Sequence, residues 1–422
     1  SNLSIEELMD IKISVASNIS TSMDKQPVSV TIINAKQLKM SGARTLNEAI
    51  MMHVPGCFKV EDQDDVIIGF RGMAPDNNVK VMLLINGQNM NTEYFWGPPP
   101  AILDTTDYEW IDRIEVIRGP GSVTLGQGAL LGVINIVTKK ASDAAKDGIS
   151  AGIKMKWGPD QYIHTSGHAL MKQGDLAGYF YASYTDFTGR RMKNQGWIMQ
   201  RANDGYLGGT LHDKGTHLNR GKNITALGNV SYKGFTLNYF YTDHQKDLYN
   251  FQRDRDVLQE KIISMNATYL LKINNDLRFS VIGNYIQDNF YLFSIEGLTA
   301  GGTREDRWGL KAIVNADNLF IKGNHAALGY EFRIFEMGKK NTRGDNFIIN
   351  KFDTATLTNL PYANELRTML YHDYIYVHSL FIEDFFDIND RLTVFAAARY
   401  DHHTYWGYNI SPRLGVLITP MP

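Results

Sequence analysis

The strongest constraint on the fold is a period-two alternation of hydrophobicity that recurs after about residue 145. In the segment DLRFSVIGNYIQ, Leu277 and Phe279 fall on one face of an extended strand, and Arg278 and Ser280 fall on the other. The segments RLTVFAAARYD and GFTLNYFYTD repeat this arrangement. Alternation over about ten residues is typical of a strand that crosses a membrane within a barrel. A soluble β-sandwich can produce the same alternation, so the pattern alone leaves both architectures open.

The lengths of the connections separate these two architectures. Short connections such as YKG, INND and DIND alternate with long ones at roughly 187–222 and 337–375. Short turns at one end and long loops at the other are typical of outer-membrane barrels, whereas a sandwich has shorter strands and no such asymmetry. The alternation predicts about twelve strands that start near residues 148, 161, 176, 223, 234, 259, 276, 304, 319, 376, 391 and 409.

Residues 25–141 have a different pattern, that of a compact α+β unit. Thr45 is a candidate N-cap of a helix with Glu48 as its capping-box partner, and Pro55-Gly56 is expected to end that helix. Short strand candidates follow. Asn86-Gly87 predicts a tight turn between two of them.

Composition excludes several classes of function. The chain has 422 residues and a formal net charge of −2, which gives no reason to expect nucleic acid as a partner. Its one cysteine, Cys57, rules out a disulfide framework and a cysteine-based metal site. No apolar run approaches the roughly 18 residues of a membrane-spanning helix. No Ser–His–Asp, HExxH or carboxylate-pair pattern stands out, so we expect neither catalytic residues nor a resident metal.

A glycine-rich segment, IEVIRGPGSVTLGQGALLGVINIVTKK, raises the possibility of a phosphate-binding loop. The spacing argues against it, because Leu131 occupies the third glycine position of the nearest G-x-G-x-x-G match. The β-branched run GVINIVT follows, where a phosphate loop would need the N-terminus of a helix. We therefore expect these glycines to serve backbone geometry rather than nucleotide binding.

The segments RGMAPDNNVKVMLLINGQNM, WIDRIEVIRGPGSVTLGQGALLGVINIVTKK and NISPRLGVLITP resemble a TonB-dependent outer-membrane receptor. The resemblance implies a mixed α+β plug domain at 25–141 inside a transmembrane antiparallel β-barrel at 142–422. About 12 of the family's roughly 22 strands would be present. It also implies a bacterial outer-membrane location and active transport of a scarce metal chelate, with a ferric siderophore as the default. The implied partners are TonB with its inner-membrane energising complex, the lipid bilayer and lipopolysaccharide, with no permanently bound cofactor.

The lead-in segment, residues 1–24, contains DIKISVAS where the family places its TonB box. Its alternating residues suit β-augmentation, in which an extended segment adds a strand to a partner's sheet through main-chain hydrogen bonds. A disordered tail with a chance alternation is the alternative. The resemblance assigns the TonB contact to Asp10, Ile11, Lys12, Ile13, Ser14 and Val15.

The resemblance also places two plug loops at the floor of a ligand cavity. Their aromatic side chains could stack on a catecholate or cap a porphyrin, or could instead pack against the barrel wall. The predicted ligand-binding residues are Asp76, Asn77, Gln88, Tyr94, Phe95 and Trp96. Polar contacts between plug and barrel are expected from Arg71, Arg113, Glu115 and Arg118, with ordinary exposed charges as the alternative.

Other functions remain open at this level. A haem receptor would need an axial ligand, for which the candidates are His212, His217, His402 and His403. Cobalamin or carbohydrate uptake, and a surface adhesion or phage-docking barrel, are further alternatives. Because an open sheet in lipid leaves edge strands unpaired, about twelve strands imply a fragment, an incomplete sequence or a split receptor completed by a second chain.

Overall fold

A computed structural model describes most of the two regions that the sequence distinguishes. The described residues are 19, 29–61, 66–75, 78–93, 97–119, 125–126, 128–144, 146–188, 190–192, 216–218, 221–247, 257–293, 300–318, 321–339, 373–389 and 391–418. Among these residues, no helix is long and apolar enough to span a membrane.

The first region forms a small α+β unit, called here the inner domain. Its helices are α1 (Ala35–Met40), α2 (Leu46–His53) and α3 (Pro100–Leu103). Its strands are β1 (Ser29–Asn34), β2 (Cys57–Glu61), β3 (Val66–Phe70), β4 (Val81–Ile85), β5 (Gln88–Asn89), β6 (Ile111–Arg118) and β7 (Gly132–Thr138). Five of these strands form one sheet in the order β1-β6-β7-β4-β5, in which only the β4–β7 pair is parallel. Strands β2 and β3 form a separate antiparallel pair.

In the inner domain, the structure confirms the predicted N-cap and the predicted tight turn, and it corrects the predicted capping box. The Thr45 hydroxyl accepts a hydrogen bond from the Glu48 backbone N–H at 3.3 Å, as expected of an N-cap. The predicted capping box is wrong, because the Glu48 carboxylate accepts from the Arg44 backbone N–H at 2.8 Å instead of turning to Thr45. The turn at Asn86 and Gly87 is confirmed, with φ values of 49° and 81° joining β4 to β5.

The second region forms an antiparallel sheet of 12 strands, called here the barrel wall. Each strand pairs with its neighbours in chain order, and all twelve begin within five residues of the predicted positions. The strands are β8 (Gly148–Gly158), β9 (Tyr162–Gln173), β10 (Leu176–Phe187), β13 (Gly221–Tyr232), β14 (Phe235–Asp247), β15 (Val257–Lys272), β16 (Leu277–Phe293), β17 (Ala300–Asp317), β18 (Asn324–Lys339), β19 (Asp373–Asn389), β20 (Leu392–His403) and β21 (Gly407–Ile418). Two further short strands, β11 (Arg190–Met192) and β12 (Thr216–Leu218), pair with each other within the long connection between β10 and β13.

The sheet is open over the part of the chain that the structure describes, with β8 and β21 as its two edges. The predicted alternation is present: residues such as Phe180 and Leu380 are exposed on the outer face, while Tyr181 and Phe381 beside them are buried on the inner face. Every connection at one end of the strands is short, and the two long connections, β10–β13 and β18–β19, both lie at the other end, as the sequence predicted; that end also carries the short turns β8–β9 and β20–β21.

The inner domain packs against the concave face of the barrel wall. Trp110 lies 5.5 Å from Phe240 of β14, measured between ring centroids, and both side chains are buried. One apolar core therefore continues from the inner domain into the wall. The wall contributes Ala177, Tyr179, Tyr181, Leu227, Phe240, Ile262 and Ile286 to it.

A glycine under an aromatic ring tests the packing inside the wall. Phe381 is 1% exposed, and the charged ends of Lys311 and Arg399 lie 4.8 Å and 5.7 Å from its ring centroid. A Cβ atom on Gly329 would lie 2.1 Å from the Phe381 ring. We expect Gly329→Ala to lower the free energy of unfolding by about 1–3 kcal/mol, because the ring has no free space to move into.

Gly283 provides a matched control on the neighbouring part of the wall, since nothing lies within 4 Å of a Cβ atom built there. Gly283→Ala should change stability by less than about 0.5 kcal/mol. Urea unfolding of both variants in lipid vesicles is the measurement. Equal midpoints for the two variants would contradict the packing described for Phe381.

Candidate functional site

The candidate functional site is the buried polar interface between the inner domain and the barrel wall. The first residue of this site is Asp107, which lies in the loop before β6 and has a buried side chain. Tyr181 of β10 donates to its two carboxylate oxygens at 2.9 and 2.8 Å, and Ser183 donates at 2.5 Å. The backbone N–H of Glu109 adds a fourth contact at 3.1 Å. A buried carboxylate is tolerated here because hydroxyl and amide donors surround it.

Glu109, which follows Asp107 by two residues, forms ion pairs with the edge strand β8. Its carboxylate accepts a hydrogen bond from Lys154 at 2.6 Å and also pairs with Lys156. Burial by itself would raise the pKa of Glu109, but the two lysines outweigh that effect and lower the pKa to about 2. The backbone carbonyl of Glu109 also accepts from Lys139 at 2.6 Å, and burial lowers the pKa of this lysine.

The short helix α3 contacts the long-loop half of the wall. The backbone N–H of Ala101 donates to the buried carboxylate of Glu260 on β15 at 2.7 Å. At the end of the helix, Asp104 forms an ion pair with Lys246 of β14 at 3.0 Å. The inner domain therefore meets the wall here through one charged acceptor and one ion pair.

A third group of contacts joins β17 to the segment after β5. The guanidinium of Arg307 donates to the backbone carbonyls of Met90, at 3.2 Å, and Asn91. The same guanidinium pairs with Glu305 at 3.0 Å, and Glu305 accepts from the backbone N–H of Glu93 at 3.0 Å. At β17, therefore, charged wall residues hold the backbone of the inner domain rather than its side chains.

The four residues predicted to join plug and barrel form contacts inside the inner domain. Arg113 pairs with Glu115 at 2.8 Å, and Glu115 accepts from Asn135 at 3.1 Å within the five-stranded sheet. Arg118 donates to Ser29 at 2.6 Å, and Arg71 donates to the backbone carbonyl of Arg118 at 3.4 Å. Strand β6 lies between β1 and β7, so Arg118 reaches Ser29 of β1 and Glu115 reaches Asn135 of β7 within the same sheet.

Gln88 is the one predicted ligand residue that falls among the described residues. It is buried at β5 and bonds to β15, accepting from the Ser264 hydroxyl at 3.0 Å and donating to the Met265 carbonyl at 3.5 Å. Its part in ligand binding stays a prediction. The other predicted contacts, Asp76, Asn77, Tyr94, Phe95, Trp96 and residues 10–15, lie outside the described residues.

Sequence reasoning missed the residues that make the interface. Asp104, Asp107 and Glu109 occur together in the segment DTTDYEW, and three acids in seven residues beside an apolar strand were a usable signal. The sequence signal for Glu260 and Arg307 was weaker, because an inward-facing charge in a barrel strand is expected whether or not it meets a partner. Their partners could not be named from the sequence.

Comparison with known proteins identifies the inner domain. The family described as TonB-dependent Receptor Plug Domain matches residues 22–133. The iron-regulated outer membrane virulence protein of Vibrio cholerae is 31% identical over 126 residues, which cover 27% of this chain and 18% of that protein. The ferrienterobactin receptor of Escherichia coli is 35% identical over 91 residues, which cover 18% of this chain and 11% of the receptor.

Solved structures resemble the whole described fold. The siderophore receptor PirA of Acinetobacter baumannii superposes with a TM-score of 0.64 at 15% identity, covering 94% of this chain and 60% of PirA. The FrpB iron transporter of Neisseria meningitidis gives a TM-score of 0.64 at 15% identity, covering 93% of this chain and 63% of FrpB. The chain thus spans about three fifths of these structures and less than a fifth of the curated relatives' length is aligned.

Removing the Asp107 carboxylate should weaken the interface. Asp107→Ala leaves the buried hydroxyls of Tyr181 and Ser183 without this acceptor, and we expect a loss of about 1–3 kcal/mol in unfolding free energy. Asp112→Ala is the control, because that carboxylate is 46% exposed and, among the described residues, pairs with the neighbouring Arg113. Urea unfolding followed by tryptophan fluorescence measures both, since Trp110 bonds to the Asp107 carbonyl at 2.9 Å. Equal loss in both variants would contradict a specific role for Asp107.

The contact of Glu109 with the two lysines should make the interface sensitive to acid. Its pKa in the folded protein lies below the ordinary value of 4.5, at about 2. The stabilisation is therefore complete above about pH 4.5 and is lost as the pH falls toward about 2. We expect the unfolding free energy of the wild type to fall more steeply over this interval than that of Glu109→Gln, measured by urea unfolding at each pH. Parallel pH profiles would show that the ionic contact adds nothing.

Proposed function

Because this chain belongs to the TonB-dependent outer-membrane receptors, with the inner domain as its plug, we propose that it imports a ferric siderophore across the outer membrane. This family consists of transporters rather than enzymes. The names of similar proteins support the class of ligand: one is a ferrienterobactin receptor, another a siderophore receptor and a third an iron transporter. All three names refer to iron or to a siderophore.

The observation that carries the proposal is the polar interface between the plug and the wall. A transported chelate must pass a domain that fills the barrel, so the contacts holding that domain must be breakable. The interface provides a series of hydrogen bonds and ion pairs at Asp104, Asp107, Glu109, Glu260 and Arg307. A hydrogen bond of this kind contributes about 0.5–1.5 kcal/mol net and about 1.5–3 kcal/mol when a buried partner is charged, whereas the solvent-screened pairs of Glu109 contribute less.

The energy released by one proton crossing the inner membrane is comparable with the energy of a few of these contacts. One proton crossing an inner membrane at about 150 mV releases roughly 3–4 kcal/mol. This amount can break one to three polar contacts but not the apolar core around Trp110. We therefore propose that TonB, pulling on residues 10–15, rearranges the plug stepwise and does not unfold it as a whole.

The chelate is proposed to bind at the end of the wall that carries the long connections. The candidate contacts there are Asp76, Asn77, Gln88, Tyr94, Phe95 and Trp96. Aromatic rings in this set would stack on the aryl groups of a catecholate chelate. Asp10 to Val15 would add a strand to TonB on the opposite side of the membrane.

A backbone change in the TonB segment tests the energy coupling. Ile13→Pro removes a main-chain N–H that β-augmentation uses, whereas Ile13→Ala at the same position keeps it. In cells making the full-length receptor, we expect Ile13→Pro to abolish uptake of radioactive iron from a ferric catecholate and to leave surface binding of the chelate unchanged. Ile13→Ala should retain most of the uptake.

Two outcomes would overturn parts of this proposal. Wild-type uptake by Ile13→Pro would exclude coupling through this segment. Growth on haem or cobalamin, with no binding of ferric siderophores, would keep the transporter and replace its ligand.

A further inference from the structure

Two acidic side chains of the barrel wall, Glu260 of β15 and Asp288 of β16, lie in contact at the position where helix α3 meets the wall. They are 0% and 4% exposed. Their carboxyl groups are within hydrogen-bond distance of each other. These two residues are called here the acid pair. Glu260 also contacts the plug, because its carboxylate accepts from the Ala101 backbone N–H.

The acid pair has more hydrogen-bond acceptors than donors. Oε2 of Glu260 accepts from Ala101 at 2.7 Å. Among the described residues, no donor reaches the other oxygen of Glu260, Oε1, or Oδ2 of Asp288. Two ionised carboxylates in contact are both acceptors, so neither can satisfy the other. A proton on one of the two groups supplies the missing donor.

The charges around the acid pair lead to the same conclusion. Two cations lie beside it, and each already has a carboxylate partner: Lys246 pairs with Asp104 at 3.0 Å, and Arg307 pairs with Glu305 at 3.0 Å. In this part of the described structure, four carboxyl groups therefore share two cations. Ionisation of all four would leave two negative charges without compensation and away from water. One proton on the acid pair removes one of these charges.

The nearest histidine does not supply a third cation. His244 of β14 is directly opposite Glu260 in the sheet register and is buried. Neither nitrogen of its ring has a hydrogen-bond partner within the described parts of the chain. A charged imidazole donates from both nitrogens, and burying it without acceptors is unfavourable. His244 is therefore neutral and does not balance the acid pair.

We propose that Glu260 and Asp288 share one proton while the plug is docked, so that the wall beneath α3 contains a proton-binding site. Two carboxyl groups in contact retain one proton between them, because losing it would place two like charges side by side. When α3 moves away from the wall, water reaches the acid pair and both groups ionise. The proton then passes to the water of the lumen. This movement of α3 rests on the proposed transport, whereas the proton-binding site does not.

The shared proton makes the docking of α3 dependent on pH. Exposed carboxyl groups ionise near about pH 4, so above this pH the docked form holds one proton more than the undocked form. The equilibrium constant for undocking then rises by up to about tenfold per pH unit, for as long as the docked acid pair keeps its proton. Acid therefore strengthens this contact, whereas it weakens the contact of Glu109 with β8.

Infrared spectroscopy of the full-length receptor in lipid vesicles detects the proton directly. At about pH 6 exposed carboxyl groups are ionised, whereas a protonated carboxyl group has a separate carbonyl band that shifts in D2O. Asp288→Asn and Glu260→Gln each replace one acid by an amide that still donates across the pair. We expect each variant to lose one such band. The double variant should lose no more than either single variant, because the two acids share one proton.

Asp243→Asn is the matched control. This carboxylate of the neighbouring strand β14 pairs with Lys261 at 3.4 Å, so its removal should leave the band unchanged. A wild-type spectrum without the band, a band kept in both single variants, or a twofold larger loss in the double variant would overturn the proposal. Either single variant is sufficient if the other fails to fold.

Hydrogen–deuterium exchange of residues 101–104 tests the link between the proton and α3. The wild type is compared with Asp288→Asn at each pH, so that the intrinsic effect of pH on exchange cancels. We expect protection of this segment to fall with rising pH by up to about tenfold per unit more in the wild type. Parallel profiles would overturn the link. Neither experiment uses TonB or a chelate, so a failure here is distinguishable from a failure of the proposed transport.

Discussion

The rest of this structure depends on one constraint, the need of every backbone N–H and C=O group in lipid to find a partner within the protein. Long antiparallel strands satisfy it by pairing with their neighbours in chain order, and the barrel wall consists of 12 such strands. Because successive residues of a strand point to opposite faces, the same strands must present apolar side chains to lipid and other side chains inward. Both the filled interior and the patterned outer face follow from this arrangement.

The interior places its own demand on the plug. Inward-facing polar residues must be paired once a domain covers them, and the wall meets this requirement with Tyr181, Ser183, Glu260 and Arg307. Their partners are carboxylates, a helix N–H and backbone carbonyls of the plug. An interface that combines these polar contacts with the apolar core at Trp110 holds the plug firmly and still offers contacts that can be broken separately. The transport proposed above would require that combination.

The sequence by itself determined the strands, their number and the class of the fold. Period-two alternation is a local property of about ten residues, so the start of each wall strand could be predicted, as could the Asn86–Gly87 turn and the N-cap at Thr45. The plug could be recognised from the runs between Trp110 and Lys140, and the family match at 22–133 agrees with it. These signals need no knowledge of distant contacts.

Only the tertiary structure decided which polar residues meet. Asp107 contacts Tyr181 and Ser183 across separations of 74 and 76 residues, and Ala101 contacts Glu260 across 159. Arg113 and Glu115 show the converse, since two charges with an expected role at the barrel pair with each other inside the plug sheet. Docking of the plug fixes these contacts through the position and rotation of a whole domain. No local pattern encodes that geometry, because the residue that a side chain meets depends on every strand that lies between the two residues along the chain.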